Sequence, residues 1–159
     1  MSLRLGNLVL NGKCHVMGIL NVTPDSFYDG GLHYDSADMQ KRVNAIVQEG
    51  VEIIDIGGES TRPGSKPVTV EEELERVIPA VQYISKNYEI PISIDTQKAE
   101  VAKKAVEAGA HIVNDVGGLR NDDMISVVAE MNVPVIMMHM QGTPDNMQKN
   151  PQYADVVED

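Results

Sequence analysis

Four short stretches of this sequence gather oxygen donors, carboxylates and a guanidinium at points where the chain must turn. The first runs from Met17 to Gly31, MGILNVTPDSFYDGG. An apolar run delivers Asn21, Thr23-Pro24-Asp25-Ser26 breaks into a turn, and Gly30-Gly31 permits a loop that moves. Asn21 is a neutral oxygen ligand and Asp29 a carboxylate that a closing loop can carry. Together they could hold a magnesium ion, which usually takes one or two protein oxygens and completes its shell with water and phosphate. Asn and Asp in such a stretch also serve as plain turn formers, and the pattern leaves both readings open.

The second stretch runs from Asp55 to Ser65, DIGGESTRPGS. Gly57 and Gly58 permit close backbone approach, and Ser60, Thr61 and Arg62 offer hydroxyls and a guanidinium suited to pyrophosphate oxygens. A solvated loop with an exposed arginine is the plainer alternative. The third and fourth are Ile94-Asp95-Thr96 and Val113-Asn114-Asp115. Apolar strands that end in Asp or Asn bring those side chains into an apolar cavity, where they need partners. A carboxylate matches two adjacent N–H donors of a 2-amino-pyrimidinone edge, and a neighbouring amide both donates and accepts. Asp95 could equally cap the helix that follows it. Met137, Met138, His139 and Met140 close a further apolar run. Thioethers pack on flat rings or simply fill a core, and His139 reads as a structurally hydrogen-bonded histidine. No second histidine stands at metal-ligand spacing, so no zinc site is expected.

The elements that must position these groups alternate. Leu8-Val9-Leu10 followed by Asn11-Gly12 suggests a hairpin turn. Strands are expected at His15–Leu20, Ile53–Ile56, Pro91–Ile94, Ile112–Val113 and Val135–Met138. Helical spacing of apolar residues marks Ser36–Glu49, Val70–Lys86, Lys98–Ala108 and Asp122–Met131. Thr69 stands three residues before Glu72, as in a capping box. Gly109 stops the third helix. Strands alternating with helices imply right-handed crossovers and a parallel sheet. The G-x-G-x-x-G turn of a dinucleotide-binding sheet is missing. Polar residues instead follow every strand, as at the working end of a barrel. The segment Tyr153 to Asp159 looks like the opening of another helix.

The chain has 159 residues and a net charge of −11. That charge argues against nucleic acid, and it requires any phosphate site to rest on local groups. No apolar run reaches the ~18 residues of a membrane span, and Met1-Ser2-Leu3-Arg4 lacks a signal-peptide core, so a cytoplasmic protein is expected. One cysteine, Cys14, excludes an internal disulfide framework. A single domain over residues 1–159 is expected, with no linker to divide it.

Taken in register, these stretches resemble the dihydropteroate synthase family. MGILNVTPDSFYDGG and DIGGESTRPGS carry the resemblance most specifically, and SIDTQKAEVAKKAVEAGAHIVNDVGG and MMHMQGTP follow in order, so it covers essentially the whole chain. The resemblance implies an α/β fold, a TIM (β/α)8 barrel of which this chain supplies about the first five strands and an amino-terminal hairpin. It implies condensation of 4-aminobenzoate with 6-hydroxymethyl-7,8-dihydropterin pyrophosphate, giving dihydropteroate and pyrophosphate. Asn21 would contact magnesium, with Asp29 as a further contributor from the mobile loop. Thr61 and Arg62 would hold the diphosphate, Arg62 stabilising its departure. Asp95 and Asn114 would bind the pterin ring and Met138 line its pocket. Phe27 and Pro63 would flank the 4-aminobenzoate site, where sulfonamides compete in this family.

Small-molecule substrates and a homodimer are expected, with neither nucleic acid nor membrane as partner. The family's later Asp-Pro-Gly aspartate, its pterin-binding lysine and its Ser-Arg-Lys segment do not occur in these residues, so the chain alone is expected to have little or no synthase activity. A pterin-binding methyltransferase domain, or a non-catalytic half-barrel, is the alternative.

Overall fold

Runs of isoleucine and valine separated by amphipathic stretches fold as strands and helices in alternation. The computed structural model describes residues 3–23, 36–60, 67–143 and 146–158. Phe27, Asp29, Thr61, Arg62 and Pro63 lie outside the described residues. A hairpin of β1 (Leu3–Leu5) and β2 (Leu8–Leu10) leads into β3 (Met17–Asn21) and α1 (Ser36–Gln48). There follow β4 (Ile53–Gly57), α2 (Val70–Asn87), β5 (Ile92–Asp95), α3 (Ala99–Ala108), β6 (Ile112–Asp115), α4 (Asp122–Met131) and β7 (Val135–Met137).

The hairpin turns at Gly6-Asn7, not at Asn11-Gly12 as the dipeptide suggested. Leu5 pairs with Leu8, leaving two residues for the turn, and Gly6 takes φ +55°. Glycine in the first central position satisfies a two-residue hairpin as well as Asn-Gly does. The expected capping box is present: the Glu72 N–H donates to Thr69 Oγ1 at 3.2 Å, and the Thr69 N–H donates to Glu72 Oε2 at 3.0 Å. Gly109 ends α3 with φ +120°. After β7, no helix is formed among the described residues, although Asp155 Oδ1 accepts from the Val157 N–H at 2.9 Å as a helix cap would.

The five main strands are parallel and lie side by side in chain order, β3-β4-β5-β6-β7. Together with the helices that follow them they form part of a (β/α)8 barrel. Side chains two apart on a strand face the same side, so the register sorts the sheet into two faces. Leu20, Ile56, Ile94 and Val113 face the helices and are buried with Val43, Ile46, Val77, Val81 and Ala105. The opposite face carries Ile19, Asp55, Ser93 and Ile112 in one row, and Asn21, Gly57, Asp95, Asn114 and Ile136 in the row nearer the carboxyl ends. The hairpin closes the far end of this inner face, where Leu5 packs with Ile53 and Ile112.

The inner face is not closed over by the described residues: Ile19 is 62% and Ile136 39% exposed. The two faces therefore differ in what they contribute to stability. Ile56→Ala, on the helix side, is expected to cost about 2–5 kcal/mol in urea unfolding. Ile19→Ala is expected to stay within about 0.5 kcal/mol. Equal costs would contradict this division of the faces.

Candidate functional site

Parallel pairing places the ends of four strands at one level. Asn21 pairs with Gly57, Gly57 with Asp95, and Asp95 with Asn114. Asn21, Asp95 and Asn114, three of the residues singled out from the sequence, thus come together on one face. Gly57 lies between the first two. A Cβ on Gly57 would sit 3.5 Å from Asn21 Oδ1 and 3.5 Å from Asp95 Oδ2. The missing side chain leaves a cradle with an oxygen on each side.

Asp95 does not cap the next helix. The N-cap of α3 is Lys98, whose N–H donates to Thr96 Oγ1 at 3.1 Å. The Asp95 carboxyl is left for other partners. Burial pushes its pKa up, and the charges of Asp55, Glu73, Asp115 and Glu59 add to the effect, bringing it to about 7. Asp115 serves the backbone: Oδ1 accepts from the Gly117 N–H at 2.7 Å and Oδ2 from the Leu119 N–H at 2.8 Å, which shapes the turn after β6.

Asn114 donates from Nδ2 to Asp55 Oδ2 at 3.1 Å. Asp55 is not among the site residues expected from the sequence, although a carboxylate inside the run Ile53-Ile54-Asp55-Ile56 is a visible signal. Every residue of that strand is buried, and a buried carboxylate demands a partner.

A second cluster, also not anticipated, braces the chain just past β4. Lys98 Nζ lies 2.5 Å from both Glu59 Oε2 and Glu73 Oε2, and Glu73 is fully buried. Burial alone would lower the Lys98 pKa, but its hydrogen bonds and the charges of the two glutamates outweigh this and raise it. Glu59 Oε1 accepts from the Val68 N–H at 3.2 Å, and Arg76 donates to the Gly58 carbonyl at 2.8 Å. The described residues on either side of 61–66 are thus tied to α2 and α3. Gly58 is needed here, because a Cβ would lie 2.7 Å from Val77 Cγ1.

Met138 follows β7 and is partly buried, its N–H donating to the Asp115 carbonyl at 3.3 Å. His139, expected to be held by a structural hydrogen bond, is instead exposed, with its ring 5.0 Å from that of Tyr153. Among the described residues no group of three or more His, Cys, Asp and Glu could hold a metal ion, and no helix is long and apolar enough to cross a membrane.

Residues 17–159 match a family described as pterin binding enzyme. The chain is 53% identical over 142 residues to dihydropteroate synthase of Escherichia coli K12, covering 89% of this chain and 50% of that protein. It superposes on Yersinia pestis dihydropteroate synthase, solved with a sulfonamide drug, with TM-score 0.85 and 43% identity over 99% of this chain and 57% of that one. Xanthomonas albilineans dihydropteroate synthase, solved with 4-aminobenzoic acid, gives TM-score 0.83 and 45% identity over 99% and 56%. The chain spans about half the length of the curated relatives it matches.

Asp95 gives the site a stability signature. The folded carboxyl keeps its proton up to about pH 7, whereas the ordinary value is 3.8, so the folded state binds more protons between those limits. The contribution of this group is most favourable below pH 3.8 and is lost as the pH rises through about 7. Asp95→Asn is expected to raise the melting temperature by several degrees at pH 8 and to change it little at pH 4. A shift of equal size at both pH values would contradict the assigned pKa.

Proposed function

The chain belongs to the family of pterin-binding enzymes, and on that premise we propose that it acts in the dihydropteroate synthase reaction of folate biosynthesis. In this reading the bond between the pterin methylene carbon and the diphosphate oxygen breaks, and pyrophosphate leaves with the electron pair. The amine of 4-aminobenzoate attacks the methylene carbon and then loses a proton. The observation that carries the proposal is the row Asn21–Gly57–Asp95–Asn114 at the carboxyl ends of four neighbouring strands.

Asp95 accepts two adjacent N–H groups of the pterin ring, which a carboxylate does and a neutral carboxyl does not. Asn114 fixes a second position on the ring, and Met138 lies against its face. Thr61 and Arg62 hold the diphosphate, with the guanidinium stabilising the charge that develops on departure. Phe27 and Pro63 flank the 4-aminobenzoate, the site at which sulfonamides compete. A protonated aniline nitrogen is acidic enough to release its proton to water, so no general base is required.

Magnesium fits what is described of the site. Asn21 Oδ1 borders the cradle over Gly57, and a neutral oxygen donor suits a hard cation. Asn21 and Asp29 would hold it. When bound, it supplies positive charge to the diphosphate in a protein whose net charge is −11. Folate synthesis in the cytoplasm and a homodimeric assembly complete the reading.

Titration calorimetry with 6-hydroxymethyl-7,8-dihydropterin pyrophosphate tests the proposal. Binding that strengthens with magnesium, and strengthens as pH rises from 6 to 8, is expected. Gly57→Ala is expected to weaken it at least tenfold with little change in melting temperature, because its methyl fills the cradle without backbone strain. The 159-residue chain is expected to turn over at least a hundredfold slower than a full-length relative. Absence of binding with and without magnesium would overturn the assignment.

A further inference from the structure

We propose that Asp55 is a positioning residue that fixes the hydrogen-bonding polarity Asn114 presents to a bound ring, and thereby makes the site prefer a ring bearing N–H groups over one bearing oxygens. This inference rests on the function proposed above and concerns how that site tells one heterocycle from another.

Asp55 is 5% exposed and stands in the row beneath Asn114, two strands away on the same inner face. Its Oδ2 accepts from Asn114 Nδ2 at 3.1 Å, while its Oδ1 is buried without a hydrogen-bond partner among the described residues. Ser93, its register neighbour on β5, has an equally buried and unpartnered hydroxyl. Keeping a carboxylate in such a place is costly. The buried faces around it are built from isoleucine and valine, which would pack there at no such cost.

The cost has a return in the amide. A side-chain amide carries an acceptor oxygen and a donor nitrogen, and its neighbours decide which of them it shows to a ligand. A carboxylate only accepts, so Asn114 must keep Nδ2 toward Asp55 and turn Oδ1 away. Asn114 then meets a ligand oxygen-first. Asp95, on the adjacent strand at the same level, is likewise an acceptor. Two neighbouring acceptors suit the 2-amino and N3–H pair of a pterin edge, whereas a 2-oxo edge keeps the N3–H but sets its oxygen against the other acceptor with no proton between.

An amide in place of Asp55 removes this constraint, because it can donate to Asn114 as readily as accept. The test compares affinities for a 2-amino pteridine (pterin) and its 2-oxo counterpart (lumazine) in the 159-residue chain. The unsubstituted chain is expected to favour pterin. In Asp55→Asn the preference is expected to fall on the order of tenfold, the scale at which one buried unpaired polar group discriminates. In an Asn114→Ala background, Asp55→Asn is expected to leave the preference unchanged. A role confined to stability would move both affinities together and leave their ratio intact.

An unchanged ratio in Asp55→Asn, or an equal change in the Asn114→Ala background, would overturn the inference while the functional reading stands. Failure of the unsubstituted chain to bind either ring would overturn both. If Asp55→Asn does not fold, hydrogen exchange at the Asn114 side-chain amide of the unsubstituted chain decides. One N–H is expected to exchange at least tenfold slower than the other, and equal rates would overturn the inference.

Discussion

Parallel strand pairing is the constraint on which the site depends. Backbone hydrogen bonds hold β3, β4, β5 and β6 in a register that puts Asn21, Gly57, Asp95 and Asn114 at one height. A slip of one residue in any strand would send its polar side chain to the helix-facing side, among Leu20, Ile56, Ile94 and Val113. The helix-facing isoleucines and valines therefore do more than stabilise. They make every slipped arrangement expensive, and the working groups stay aligned as a result.

The same arrangement forces carboxylates together. Asp55, Glu59, Glu73, Asp95 and Asp115 all bear on one strand end, and their surroundings differ. Asp115 is occupied by two backbone N–H groups. Glu59 and Glu73 share Lys98, and Asp55 takes the amide of Asn114. Asp95 has no such partner among the described residues, and its burial first, with the neighbouring charges adding to it, raises its affinity for a proton. A ligand rich in N–H groups relieves this crowding, and an anionic one must bring or find positive charge.

Much of this was legible in the sequence, for physical reasons that differ by element. The helices declared themselves because apolar spacing and caps act within a few residues, as Thr69 with Glu72 and Gly109 both show. Asn21, Asp95 and Asn114 stood out as polar ends of apolar strands. The hairpin turn is not at Asn11-Gly12, because pairing between Leu5 and Leu8 puts it at Gly6-Asn7. The Lys98 bridge joins residues 39 and 25 positions apart, and no local pattern encodes such a meeting. Asp55 was visible as an oddity in its strand, but its partner lies 59 residues on. Arg62 and Asp29 lie outside the described residues.

The Lys98 bridge also separates the charges of this protein into two populations by their response to ionic strength. Lys41 with Asp38 and Lys104 with Glu107 are surface pairs whose partners are all more than 40% exposed. A molar salt solution, with a screening length of about 3 Å, would erase most of what they contribute. Lys98 rests between a fully buried glutamate and one only 20% exposed, where mobile ions scarcely reach. The brace beside the strand ends is thus built to persist in brine, while the ion pairs on the outer helices dissolve into it.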